Sequence, residues 1–121
     1  GEVYKRQRDE LRDRGRLLHM AEAIDRVLSF MDGRTEADLA DDAMLFYAVV
    51  KNVEIIGEAA YKLSHNFVEA HPHTPWKQII RMRHILVHGY YQIQPDQLFN
   101  VYTEDLPLLH TQIHAYLSED T

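Results

Sequence analysis

Residues 17–31 read LLHMAEAIDRVLSFM, and in this stretch Leu17, Met20, Ala21, Ile24, Val27, Leu28 and Met31 recur at the three-and-four spacing of one helical stripe. Such a stripe has to be buried against other elements, so the stretch predicts a core helix rather than an isolated one. Working back toward the N-terminus, Arg-rich turns extend the pattern to about Asp9, and working forward it stops near Asp32-Gly33. Thr35 to Asp38 has the spacing of a capping box and predicts a short helical turn.

The same period recurs downstream. Asp41 or Asp42 can cap a second long helix running to about Ser64, with Leu45, Val49, Val53, Ile56, Ala60 and Leu63 as its core face. Gly57 inside it costs about 1 kcal/mol against Ala, and a close helix–helix contact is the usual compensation. Thr74-Pro75-Trp76 predicts a Thr-capped start with Pro at the first helical position. The third helix would turn Trp76, Ile79, Ile80, Leu86 and Val87 inward and stop at Gly89. Asp96 can cap a fourth helix whose apolar face holds Val101, Leu108, Leu109, Ile113, Tyr116 and Leu117, and Pro107 must kink or break it near Leu106. No segment alternates as a strand. The expectation is an all-α, up-and-down bundle of four or five helices, with residues 1–121 as a single domain.

Composition narrows the function classes. The 121 residues contain no cysteine, which removes disulfides, thiolate metal sites and a Cys nucleophile together. No apolar run approaches the roughly 18 residues of a membrane span, and the basic, polar start has no apolar h-region, so a cytoplasmic protein without membrane contact is expected. The formal net charge of −6 disfavours nucleic-acid binding by the molecule as a whole. Its distribution does not: between Glu69 and Asp96 there is no acidic residue, while Lys77, Arg81, Arg83, His71, His73, His84 and His88 all fall there. This local positive island is either a solvated helix face or a site for phosphate, another anion or an acidic partner.

Several chemistries fit poorly. No Ser stands in a Gly-x-Ser-x-Gly context, and no Gly-rich loop exists to cradle a triphosphate. His84 and His88, like His110 and His114, are four apart and share a helix face; a bundle metal protein using His84 and His88 stays open, but no third ligand accompanies them in a recognisable motif, and no metal or other cofactor is expected. Arg83 to Tyr91, RHILVHGYY, carries much of the kit for metal-free phosphodiester cleavage. An Arg fork offsets charge in a phosphorane-like transition state, an imidazole with an unperturbed pKa of about 6.5 moves a proton at neutral pH, and the RNA 2′-hydroxyl is an internal nucleophile. Arg83 and His88 are five apart, about 140° around an ideal helix, so they do not share a stripe. Either the helix unwinds at Gly89, or two copies complete one site across a twofold axis. A plainer reading pairs Arg83 with a carboxylate of the second helix, Glu58 being the candidate, and Glu58 can also orient the Arg.

Arg83, four residues, His88, Gly89 and Tyr90 together resemble the Arg-x-x-x-x-His-x-Tyr motif of HepT-like toxins in the HEPN superfamily. Ile56-Gly57-Glu58-Ala59-Ala60 resembles that family's second-helix segment, His71-Pro72-His73-Thr74-Pro75-Trp76 the stretch before its motif helix, and Asp105-Leu106-Pro107-Leu108 its last helix. The resemblance implies a helical-bundle homodimer that cuts RNA without metal, with the paired motifs facing each other across the interface. It implies a type VII-like toxin–antitoxin pair in which an MntA-like nucleotidyltransferase antitoxin adds AMP to the motif Tyr. On that resemblance Arg83 and His88 carry over as catalytic and Tyr90 as the modified residue. His84 and Glu58 would be auxiliary, and Lys77, Arg81 and Tyr91 would bind substrate. Many relatives have Asn directly after the motif Arg, where this chain has His84. The alternative is a non-catalytic HEPN module that binds a nucleotidyltransferase and helps place its substrate.

Overall fold

The stripe from Leu17 to Met31 is buried, except for the half-buried Leu28, in a computed structural model of the chain, on one side of a helix, α1, spanning Glu2–Met31. The structure describes residues 1–119; the side chain of Tyr90 and residues 120–121 lie outside the described part. Helix α1 begins seven residues before the expected Asp9. Its first turns are exposed, so they need no apolar stripe, and their charged residues are good helix formers. It ends where expected, because Gly33 turns the chain in the left-handed region (φ 73°) while the Arg34 N–H donates to the Met31 carbonyl.

The Thr35–Asp38 capping box opens α2 (Glu36–Asp41), and the Asp42 carboxylate then accepts the Leu45 N–H to start α3 (Ala43–Tyr61). The six residues expected on the core face of this second long helix are all buried. Asp13 lies near Ser64 and Arg26 near Asn52, so α1 and α3 run antiparallel. A helix not foreseen from the sequence follows, α4 (His65–Ala70). Its Ser64 cap is itself held by Asp13, which accepts from the Ser64 N–H at 2.7 Å and its hydroxyl at 2.6 Å.

The third long helix is α5 (Trp76–Gly89), which passes into a 3-10 turn at Tyr90–Gln92. Thr74 does not cap it as expected: the Thr74 side chain is buried and its hydroxyl bonds Gln112 and Tyr116 instead, leaving Pro75 at the helix entrance. Val87 was expected inside and is 40% exposed, since it faces outward one residue beyond the buried Leu86. The last helix starts at Pro95 rather than behind an Asp96 cap, through reciprocal bonds of Gln94 and Gln97. Segment α6 (Pro95–Asn100) joins α7 (Leu106–Ser118) through a π-helical turn at Val101–Asp105. There the Leu106 N–H reaches back to the Val101 carbonyl, so the register has widened before the missing N–H of Pro107 arrives. This is the predicted break near Pro107. Leu108, expected in the core, is 60% exposed between the buried Leu106 and Leu109 and points the other way.

The architecture is thus an all-α HEPN-like bundle with no strand among the described residues. Helix α3 is central, packed against α1 on one side and α5 on the other, while α7 lies along α1. Arg14 donates to the Leu117 carbonyl and His110 meets Asp25, so α7 is antiparallel to α1. No helix among the described residues is long and apolar enough to cross a membrane.

Candidate functional site

The site is set by how closely α3 and α5 approach. Gly57 is buried, and a Cβ built on it would collide with the Arg83 Cβ and lie 3.2 Å from the Arg83 Cα and 3.1 Å from the Ile79 carbonyl oxygen. The glycine lets the two backbones meet at the candidate Arg, which is the close contact its cost inside a helix called for. From this position Glu58 and Tyr61, one turn apart on α3, both reach Arg83. The Arg83 Nε–H donates to Glu58 Oε2, and the guanidinium carbon lies 4.9 Å from the centre of the Tyr61 ring. The other Glu58 oxygen faces the Lys62 ammonium at 3.4 Å.

This arrangement holds the Glu58 carboxyl below its ordinary value of 4.5, chiefly through the Arg83 hydrogen bond; burial opposes it, and Lys62 adds a smaller lowering. The Arg83 side chain is 24% exposed and that of Glu58 38%, so the pair is at the edge of solvent. Carboxylate and ring together fix the plane of the guanidinium. Among the described residues its terminal nitrogens make no hydrogen bond, which leaves two donor groups for an anion.

His84 and His88 are exposed, and their ring centres are 4.6 Å apart. Helix α5 stays α-helical to Gly89, so Arg83 and His88 keep the divergence of about 140° expected from their spacing. The change from α-helix to 3-10 turn comes after Gly89, beyond both residues. Lys77, Arg81, His84 and His88 instead form one exposed stripe at i, i+4, i+7 and i+11, on the flank of α5 away from α3. Exposed Ile85 and Val87 border that stripe. Tyr91 is exposed in the turn after α5, and the side chain of Tyr90 is outside the described residues. His110 and His114 lie apart on α7, where His110 Nε2 is 2.8 Å from Asp25. No group of three potential metal ligands occurs among the described residues.

Sequence reading missed Tyr61, Lys62 and the basic stripe as a unit. Their signal was present: Tyr61 and Lys62 follow Glu58 at i+3 and i+4, and the stripe is a repeat of alternating four and three within the acid-free island.

A model of the family described as "Ribonuclease HepT-like" matches residues 20–116. The chain is 31% identical over 97 residues to "Putative RNase MJ1380" of Methanocaldococcus jannaschii, covering 80% of this chain and 89% of that protein. It is 34% identical over 90 residues to "Probable ribonuclease HepT" of Thermococcus cleftensis, covering 74% and 82%. With "Putative RNase TTE0752" of Caldanaerobacter subterraneus the identity is 30% over 104 residues, 86% of this chain and 93% of the relative. No solved structure matches it. The matched residues run from the first core stripe through the Arg83–Tyr90 motif to the end of the bundle, and the chain belongs to the HepT-like ribonuclease family.

Proposed function

We propose that this protein is a metal-independent RNA endonuclease acting as a toxin, with a composite active site formed by two copies of the chain. The observation that carries the reading is the pairing on one helix of an Arg immobilised by Glu58 and Tyr61 with a solvent-facing His88 on a basic stripe. In this reading an imidazole takes the proton of the RNA 2′-hydroxyl, whose oxygen bonds to phosphorus as the bond to the 5′-oxygen breaks. A protonated imidazole gives the leaving oxygen its proton. The Arg83 guanidinium offsets the charge gathering on the non-bridging oxygens. Lys77, Arg81 and Tyr91 hold the strand, His84 adds a second imidazole beside His88, and Glu58 positions Arg83.

Two copies are invoked because one chain keeps Arg83 and His88 on different flanks of α5. Val87 and Ile85, 40% and 39% exposed on either side of the histidines, supply apolar surface for a second copy of the helix. A nucleotidyltransferase antitoxin that adds AMP to Tyr90 would put bulk and negative charge next to this site and block RNA. Co-expression with such a partner should then yield a protein heavier by whole adenylates, mapped to Tyr90 by peptide mass.

The activity test is direct. Cleavage of single-stranded RNA should survive EDTA and fall about 10²-fold or more in both Arg83→Ala and His88→Ala. Undiminished cleavage by either folded variant would remove the basis of the reading.

A further inference from the structure

We infer that a second anion site, formed by Arg16, His19, Lys51 and Lys62 between α1 and α3, takes a backbone phosphate of the same RNA strand that is cut at Arg83. The inference rests on the ribonuclease reading and extends it to residues outside the motif helix. These four side chains line a pocket of about 210 Å³ together with Ile55 and Ala59. Two carboxylates also line it, Glu54 and Glu58. Glu58 is the same residue that holds Arg83, so the pocket and the candidate active site share a wall.

The charge balance points to an anion. Lys51 faces Glu54 at 3.7 Å and Lys62 faces Glu58 at 3.4 Å. Arg83, outside the pocket, draws on Glu58 as well, while within the pocket two carboxylates face three cations, Arg16, Lys51 and Lys62. Arg16 is half-buried, and neither Arg16 nor His19 has a hydrogen bond or ion pair among the described residues. On a chain with a net charge of −6, a local positive excess next to a second one is the pattern a phosphate chain selects. Packed helix axes lie roughly 8–10 Å apart, a distance that a few nucleotides of extended strand cover. A strand entering over α5 would therefore meet this pocket on crossing α3.

The test measures binding apart from cleavage. A labelled single-stranded RNA is titrated against His88→Ala protein, and against the same protein carrying Arg16→Ala and Lys51→Ala, across a series of salt concentrations. Each lost phosphate contact should lower the slope of log affinity against log salt by about 0.7, hence by about 1.4 for the pair, with affinity at low salt reduced about fivefold or more. A control that removes the same charge from the exposed start of α1, Lys5→Ala with Arg6→Ala, should change the slope far less. Arg16→Lys with Lys51→Arg should restore it, which guards against a folding defect. An unchanged slope in the pocket variant, or an equal fall in the control, overturns the second site. If the pocket substitutions leave KM unchanged in a protein that still cleaves RNA, the second site fails while the ribonuclease reading stands. If the unsubstituted chain neither binds nor cleaves RNA, both fall.

Discussion

Glu58 and Arg83 illustrate what one pair of side chains contributes and what it does not. Both reach solvent, so their ion pair adds at most about 1 kcal/mol to stability, and its main effect is on the direction in which Arg83 points. The carboxyl has the lower pKa in the folded chain, so its stabilising contribution is whole above the ordinary 4.5 and is lost as pH falls through the folded value beneath it. Glu58→Gln should therefore be less stable than the parent at pH 7 by a few tenths to about 1 kcal/mol, with the gap closing toward pH 3. Urea denaturation of both proteins across that range checks it; a gap that stays constant with pH would mean the carboxylate charge plays no part. The partnership was legible in the sequence only as a possibility, since Glu58 was a candidate carboxylate for Arg83 by helix assignment alone. The spacing of Tyr61 and Lys62 from Glu58 was visible, but not that they are companions of Arg83, because that depends on which flank of α3 meets α5, and a hydrophobic period gives a face without its neighbour.

At the scale of helices, two glycines with the same local cost have opposite surroundings. Gly15 sits in α1 with nothing within 4 Å of an added Cβ, so Gly15→Ala should stabilise the fold by about 0.5–1 kcal/mol through helix propensity and a less flexible unfolded chain. Gly57→Ala gains the same propensity but drives a methyl into Arg83 and the Ile79 carbonyl, and such overpacking costs about 1–3 kcal/mol. Thermal melts should show Gly57→Ala falling below the parent and Gly15→Ala rising above it; two shifts of the same sign would mean the α3–α5 contact is looser than described. Gly57→Ala should also slow RNA cleavage, because Arg83 moves with the helix. The long helices were readable because their stripes persist over several turns, and Pro107 announced its break because a missing N–H is a property of one residue. The short helix α4 was not readable, since its six residues are too few to display a period and its cap is fixed by Asp13, 51 positions away. Thr74 misled for a related reason: its sequence neighbours specify a cap, but the Tyr116 hydroxyl and the Gln112 amide of α7 compete for it and prevail.

For the whole molecule the decisive question is which copy supplies which group. Helix α5 holds Arg83 against α3 and turns His88 to solvent, and no contact among the described residues brings them together. If two chains complete one another, the Arg83 of one copy must serve the same phosphate as the His88 of the next. Arg83→Ala and His88→Ala chains, each inactive alone, then have complementary defects. When they are unfolded together and refolded, random pairing makes half of the dimers mixed, and each mixed dimer contains one intact site and one lacking both groups. Cleavage should return to about a quarter of the unsubstituted rate. A site assembled within each chain allows no such rescue, because every copy would keep its own defect, so a mixture as inactive as its parts would refute the composite site. Substituting Ile85 and Val87 with Asp should abolish the rescue by the same logic, since it charges the apolar borders of the stripe on which the second copy would sit. Sedimentation should then find monomers, and their circular dichroism should remain helical.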